Sequence, residues 1–163
     1  RLTLVALDEL DVDGSLLLTL ASEYGRWASL GVSLMLHPNQ FKVNDAWIAF
    51  RLNDATIVTE RDGDFDCIAL MDAASCCILG MEMYSARAKG PSAQESRSLL
   101  QKGHGREGKL PQKLFVAEGQ VADALCQEAA RLTIEVVAVP EDELLEFIGE
   151  ARDGFKERFG RTQ

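Results

Sequence analysis

Two segments of the sequence have the spacing of ligand-binding loops. The run from Glu9 to Gly14 places carboxylates at alternate positions, as in the first half of a calcium-binding loop. The twelfth position of such a loop supplies a bidentate Glu, but here it is Leu20, within an apolar stretch. We therefore interpret this run as a turn and not as a calcium site.

A second run, Gly103–Gly108, matches the spacing G-x-G-x-x-G of dinucleotide-binding loops. In those loops the glycines join a strand to the helix whose amino terminus receives the pyrophosphate. Here they follow a predicted helix and precede Pro111 and a predicted strand, so the context is reversed. The sequence predicts a flexible loop at this position.

The thiols and imidazoles show no spacing that is typical of metal or nucleophilic chemistry. There is neither a Cys-x-x-Cys pair nor a Gly-x-Ser-x-Gly elbow, and the two histidines lie in turn-rich segments. Free cysteines in apolar patterns behave as small buried hydrophobes. We expect structural thiols, no cofactor and a cytoplasmic location. The side chains concerned are Cys67, Cys76, Cys77, Cys126, His37 and His104.

Charge separates one part of the chain from the rest. The 163 residues carry a net charge of −9, yet residues 87–113 hold seven basic and two acidic side chains. Overall acidity repels nucleic acid, so a protein partner with an acidic patch fits this basic stretch better. A solvated helix and loop would give the same pattern. The partner-binding residues that we predict are Arg97, Lys102, Arg106 and Lys109; the oligomeric state stays open.

The hydrophobic patterns predict one globular α/β domain in two parts. Residues 1–54 form an N-terminal extension packed on the core, with a strand over 2–7 and a helix over 16–30. Residues 55–163 form the core. No apolar run approaches the roughly 18–20 residues of a membrane-spanning helix.

The core begins with three strands, over 55–60, 65–71 and 76–84, whose short turns predict an antiparallel meander. Ser92 and Glu95 have capping-box spacing, which predicts a helix to about residue 102. A strand over 113–117, a helix over 120–132 and a strand over 134–139 then predict a parallel βαβ unit.

The last predicted helix begins after Pro140. Its apolar residues fall at helical spacing, so we expect them to form a stripe buried against the sheet. The stripe consists of Leu144, Ile148, Ala151, Phe155 and Phe159.

This order of elements resembles the ribonuclease-H-like fold, a mixed sheet that also serves integrase and transposase cores. The hairpin over 68–80 looks like the second and third strands of an integrase core. The segment 114–119 looks like the strand that ends in Asp-Asn-Gly in active members. Over roughly residues 64–159 the chain is also similar to bacterial domains of unknown function, which we interpret as degenerate relatives.

The resemblance implies a site that this sequence does not complete. Active members use acidic side chains from separate elements to hold two metal ions ~4 Å apart. The predicted first strand, 55–60, has no central Asp, and Ala117 or Glu118 stands at the Asp of Asp-Asn-Gly. We therefore predict a non-catalytic domain that contacts another protein or another domain of its own chain.

An alternative register keeps the enzymatic hypothesis open. It takes Asp72 as the first carboxylate, with Glu118 and Glu150 and with Glu95 as a further member; Glu146 also lies on the last helix. Such a set would serve a divalent-metal-dependent nuclease or recombinase. The two hypotheses differ in whether these carboxylates converge in space.

Overall fold

A mixed five-stranded sheet with three α-helices is formed by residues 35–120 and 122–159, which a computed structural model describes. A 3₁₀ turn, Pro38–Gln40, precedes the sheet. The strands are β1 (Ala46–Arg51), β2 (Phe65–Asp72), β3 (Ile78–Ser85), β4 (Lys113–Ala117) and β5 (Glu135–Val139). The helices are α1 (Ala93–Glu107), α2 (Asp123–Arg131) and α3 (Glu141–Phe159).

The strands lie in the order β3-β2-β1-β4-β5. β1, β2 and β3 are antiparallel to one another in turn, whereas β1, β4 and β5 run parallel. Trp47 of β1 is opposite Asp72 on one side and Leu114 on the other. The predicted combination of an antiparallel meander with a parallel βαβ unit is confirmed.

The first strand was predicted in the wrong place. β1 lies at Ala46–Arg51, within the predicted extension, and segment 55–60 contributes a single bridge, between Ile57 and Phe65. The reason is burial: Ala46 to Phe50 are all buried, so the strand lacks the alternation that reveals a half-exposed strand. The strand predicted over 2–7 and the helix predicted over 16–30 lie outside the described residues.

One face of the sheet packs on α1 and α2. Trp47 and Ala49 of β1 share a cluster with residues of both helices, and every member is at least nine-tenths buried. This cluster is the core between the sheet and these two helices. Its helical members are Leu99, Leu100, Leu125 and Ala129.

The opposite face meets α3 through aromatic side chains. Phe115 of β4 contacts Phe41 edge to face at 5.6 Å between ring centroids, and Phe41 lies 6.2 Å from Phe147 of α3. The predicted stripe is buried only at its start: Leu144 and Ile148 are fully buried, whereas Phe159 is 56% exposed. No described helix is long and apolar enough to cross a membrane.

Helix α1 is longer than its sequence predicts. The capping box is confirmed, since Ser92 accepts from the Glu95 amide and Glu95 accepts from the Ser92 amide. The helix then continues through Gly103 and ends at Gly108, whose φ of 76° is left-handed. The flexible loop predicted over 103–108 is therefore wrong, because packing of Gly103 on the sheet outweighs the low helix propensity of glycine.

Candidate functional site

The carboxyl ends of the parallel strands β1, β4 and β5 meet at one edge of the sheet. Ligand sites of open α/β sheets lie at this edge. β1 has the sequence Ala-Trp-Ile-Ala-Phe-Arg, so it carries no carboxylate and ends in Arg51. The sequence placed the first strand at 55–60, where it has no central Asp. The strand that occupies the centre of the sheet, β1, has none either.

Arg51 and Asp66 form the centre of a polar network at this edge. Arg51 Nη2 donates to Asp66 Oδ1 at 2.7 Å, and the same oxygen accepts from Asn53 Nδ2 and Thr56 Oγ1, both at 3.0 Å. The Asp66 side chain is 10% exposed. Asn53 in turn accepts from the Cys67 amide at 2.7 Å. The carboxylate thus joins β1, β2 and the segment between them.

A second arginine binds the main chain of β1. Arg152 Nε of α3 donates to the Arg51 carbonyl at 3.0 Å, and Arg152 Nη2 pairs with Glu141 Oε1 at 2.7 Å. On the other side, the Arg51 amide donates to Gln120 Oε1 at 3.0 Å. The end of β1 is therefore held by a side chain from the loop after β4 and by one from α3.

The carboxylates of the alternative register are not brought together. Asp72 lies opposite Trp47, which also faces Leu114, so Asp72 is at the amino end of β1. Glu118 follows Leu114 by four residues, about 13 Å along the strand at ~3.3 Å per residue. Asp72 is also fully buried, and its oxygens accept from the Asn44 amide at 2.6 Å and from the Ser75 amide at 2.8 Å. It stabilises a turn.

The remaining acidic candidates do not complete a metal-binding set. Glu95 caps α1, where it accepts from the Ser92 amide at 2.6 Å. Glu146 Oε1 lies 3.1 Å from His37 Nε2. Glu118 and Glu150 are exposed. Among residues 35–120 and 122–159, no three His, Cys, Asp or Glu side chains are placed to hold a metal ion together.

A groove of about 550 Å³ adjoins the Arg51 network, between segment 52–58 and the second half of α3. Apolar side chains line much of it, among them Leu52, Phe155 and Phe159. Arg152 and Lys156 add positive charge.

Two of the four predicted partner-binding residues have partners inside the domain. Arg97 donates to both carboxylate oxygens of Glu128, at 2.9 and 3.2 Å, and Arg131 reaches the same carboxylate at 2.8 Å. The hydrogen bond from Arg97 lowers the pKa of Glu128 below its ordinary value. Lys102 Nζ lies 2.7 Å from Glu82 Oε1. These ion pairs tie α1 to α2 and to β3.

The other two predicted residues, Arg106 and Lys109, are exposed. Their side chains make no ion pair with the described residues. The Lys109 carbonyl accepts from Asn44 Nδ2 at 3.2 Å, so the main chain that carries Lys109 is held by the turn before β1. The geometry leaves these two cations available at the end of α1.

The cysteines follow the sequence interpretation in part. Cys67 is 1% exposed, and burial raises the pKa of its thiol to about 11. Cys76 and Cys77 were predicted on a strand, but they lie in the turn before β3, and Cys76 has a φ of 54°. The residues that the sequence did not single out are those of the strand-end network, above all Arg51 and Asp66, because no motif links them.

No protein-family model and no curated protein matches the chain. Among solved structures it is similar to the HTLV-2 integrase catalytic core domain in complex with magnesium, in its dimeric form. The TM-score is 0.47 at 10% identity, over 71% of this chain and 68% of that one. It is also similar to a simian T-cell lymphotropic virus intasome in complex with the PP2A regulatory subunit B56 gamma. There the TM-score is 0.45 at 11% identity, over 73% of this chain and 42% of that one.

The order of the five strands and the placement of the helices between them give the chain a ribonuclease-H-like fold. The fold that the sequence predicted by resemblance is confirmed. A shared fold carries many functions, so function has to be argued from the residues at the strand ends.

Proposed function

We propose that this chain is a non-catalytic ribonuclease-H-like domain that binds another protein or a neighbouring domain of its own chain. The observation that supports this proposal is the bond between Arg51 and Asp66 at the end of the central strand, 2.7 Å long. A guanidinium occupies the edge of the sheet at which metal-dependent members of the fold class need carboxylates. The domain is a degenerate relative of those enzymes.

The network gives a physical reason for the loss of metal binding. Asp66 Oδ1 already accepts three hydrogen bonds, and a charge-assisted bond to Arg is among the stronger contacts of a carboxylate. A divalent ion at this edge would have to approach two guanidinium groups, those of Arg51 and Arg152. The carboxylates of Asp66 and Glu141 already pair with these groups, and no three described His, Cys, Asp or Glu side chains are placed to hold the ion.

The binding role rests on Arg106 and Lys109. They are exposed and positively charged, whereas the 163-residue chain carries a net charge of −9. An acidic patch on a protein partner would complement them, gain association rate from the attraction and bind less well in salt. Long nucleic acid would also meet the acidic remainder of the domain and be repelled. The ion pairs of Arg97 and Lys102 stabilise α1, the helix at whose end Arg106 and Lys109 lie.

Thermal melting with divalent ions tests the non-catalytic part of the proposal. A ligand at roughly 100 times its Kd stabilises a fold by ~2.7 kcal/mol, so an active site would raise Tm by several degrees. We expect millimolar Mg²⁺ or Mn²⁺ to leave Tm unchanged. A rise with Mn²⁺ that Glu118→Gln abolishes would show a working metal site and reject the proposal.

Charge reversal tests the binding part. Arg106→Glu with Lys109→Glu is compared with Arg87→Glu and Lys89→Glu, two exposed cations before α1, so that the change in net charge is the same. Both variants should fold, because exposed substitutions usually change stability by less than ~0.5 kcal/mol. Pulldowns with the first pair should lose a partner that the second pair retains. Equal recovery by both variants would mean that Arg106 and Lys109 are only solvated.

A further inference from the structure

β3 is an edge strand of the sheet, and its outer side is open within the described residues. The Cys67 carbonyl accepts from the Leu52 amide, so Cys67 directs its main chain toward β1. Cys67 is opposite Met83, and Ala69 is opposite Met81. In an antiparallel ladder such pairs leave the main-chain groups of Met81 and Met83 facing outward, where another strand could pair with them.

The side chains of the same two residues are also open. Met81 is 45% exposed and Met83 is 50% exposed, both on the face opposite α1. Outward main-chain groups next to exposed apolar side chains are the features by which sheet edges pair with other chains. Such an edge needs a specific obstacle if the chain is to stay unpaired.

Lys102 supplies that obstacle. Its Nζ donates to the Met81 carbonyl at 2.8 Å and lies 2.7 Å from Glu82 Oε1. Its stem crosses the strand at Gly80, so closely that a methyl group there would be 2.8 Å from Lys102 Cβ. Only a glycine at position 80 leaves this path free, so that the ammonium group of a helix residue reaches the outer edge of β3.

Glu82 supplies a second obstacle. It lies between the two open methionines, and Ser98 and Lys102 bind its carboxylate. Burial alone would raise the pKa of Glu82. Hydrogen bonds from Lys102 and Ser98 together outweigh that effect, so that the pKa of Glu82 lies below its ordinary value. Glu82 is therefore charged at neutral pH.

We propose that Lys102 and Glu82 guard the β3 edge against pairing with a second copy of this chain. A second copy is the matching occupant because two antiparallel β3 strands related by a two-fold axis at Glu82 would pair Met81 of each with Met83 of the other. That arrangement satisfies the outward groups of both copies reciprocally. Lys102 occupies the Met81 carbonyl, which this strand pairing would need. The two Glu82 carboxylates would also face each other across the axis, and like charges directly opposite destabilise a pair of strands. This guard does not depend on the proposed binding role.

The test removes both obstacles without changing net charge. Lys102→Met with Glu82→Gln is compared with Lys156→Met with Glu157→Gln, which removes one exposed cation and one exposed anion on α3. Analytical ultracentrifugation at high concentration should show the mass of the first variant doubled relative to wild type, and the mass of the second unchanged. Amide exchange should show new protection at Met81 and Met83. A first variant that keeps the wild-type mass, or that gains mass without that protection, would overturn the proposal.

Two further variants separate pairing at this edge from general stickiness. Met83→Lys, added to the first variant, should return the mass to that of wild type, because it puts two like charges into the interface. If the first variant does not fold, Gly80→Ala replaces it, since its methyl group displaces the Lys102 stem and keeps both charges. In ~1 M salt, where charges are screened beyond about 3 Å, Gly80→Ala should associate more than wild type. Equal association of Gly80→Ala and wild type would also reject the guard.

Discussion

Gly103 of α1 lies directly against the indole ring of Trp47. A methyl group on Gly103 would be 2.8 Å from Trp47 Cη2 and 2.8 Å from Leu70 Cδ2, well inside van der Waals contact. The missing side chain therefore sets how closely α1 approaches the sheet. Trp47 Nε1 donates to Asn44 Oδ1 at 2.6 Å, so the ring cannot turn away without losing a buried hydrogen bond.

Gly103→Ala should destabilise the domain although alanine favours helices. Overpacking a filled core costs roughly 1–3 kcal/mol, more than the ~1 kcal/mol that alanine gains over glycine in a helix. Gly105→Ala is the matched control, because nothing lies within 4 Å of its new methyl group. It should stabilise by about 0.4–1 kcal/mol. Chemical denaturation measures both, and two changes of the same sign would show that α1 does not pack as described.

Ile148→Ala should cost about 2–5 kcal/mol of unfolding free energy, as buried large-to-small substitutions do. Ile148 is fully buried on α3, whereas Leu145 in the preceding turn is 51% exposed. Leu145→Ala should change stability by less than ~0.5 kcal/mol. The pair is compared by urea denaturation. A loss below ~1 kcal/mol for Ile148→Ala would place α3 at the periphery of the domain.

Thiol labelling should distinguish two cysteines that the sequence treats alike. Burial raises the pKa of Cys67 to about 11, so its reactive thiolate is scarce at pH 8 and the sulfur is shielded. Cys77 is exposed. Iodoacetamide at pH 8 should therefore modify Cys77 first and Cys67 only after unfolding, as mass spectrometry of the peptides would show. Rapid modification of native Cys67 would mean that β2 is open to solvent.

The bond from Arg97 predicts part of the acid sensitivity. This bond lowers the pKa of Glu128. The bond therefore stabilises the fold fully above the ordinary pKa of a Glu, and this stabilisation is lost as the pH falls through the lowered pKa. Glu128→Gln should thus be less stable than wild type at pH 7 but lose less stability between neutral and acid pH. Glu157→Gln, an exposed site on α3, is the control and should follow wild type. Parallel pH curves for Glu128→Gln and wild type would contradict this role.

Most strands and helices could be predicted because their patterns are local. Four of the five residues of β4, Leu114 to Ala117, form a continuous apolar run, and Ser92 with Glu95 marks a helix start without any knowledge of the fold. β1 could not, since a strand buried on both faces has no alternation, whereas the β-branched segment 55–60 resembles a strand and lies beside the sheet. Gly103 shows the same limit: its helical conformation depends on Trp47, far away in the chain.

For the candidate site, the sequence could predict which carboxylates are missing but not which residues take their place. Sequence alone shows that the predicted first strand of the meander, 55–60, lacks a central Asp and that Ala117 or Glu118 stands at the Asp of Asp-Asn-Gly. The bond between Arg51 and Asp66 has no sequence signal, because it joins two strands whose register is set by the whole sheet. Likewise, charge counting grouped Arg97 and Lys102 with Arg106 and Lys109, although only packing decides which cations find a carboxylate.

The central position of β1 has a consequence for how the protein is made. The ribosome releases β1, β2 and β3 first, and at that stage β1 is an edge strand that lacks its parallel partner. Synthesis proceeds at about 5–20 residues per second, so the interval before β4 emerges lasts on the order of seconds. At the start of this interval, the helices that later bury Trp47 and Phe50 have not yet been synthesised. The nascent chain is therefore most exposed to misassembly and to chaperone binding between the release of β3 and the arrival of Leu114 beside Trp47.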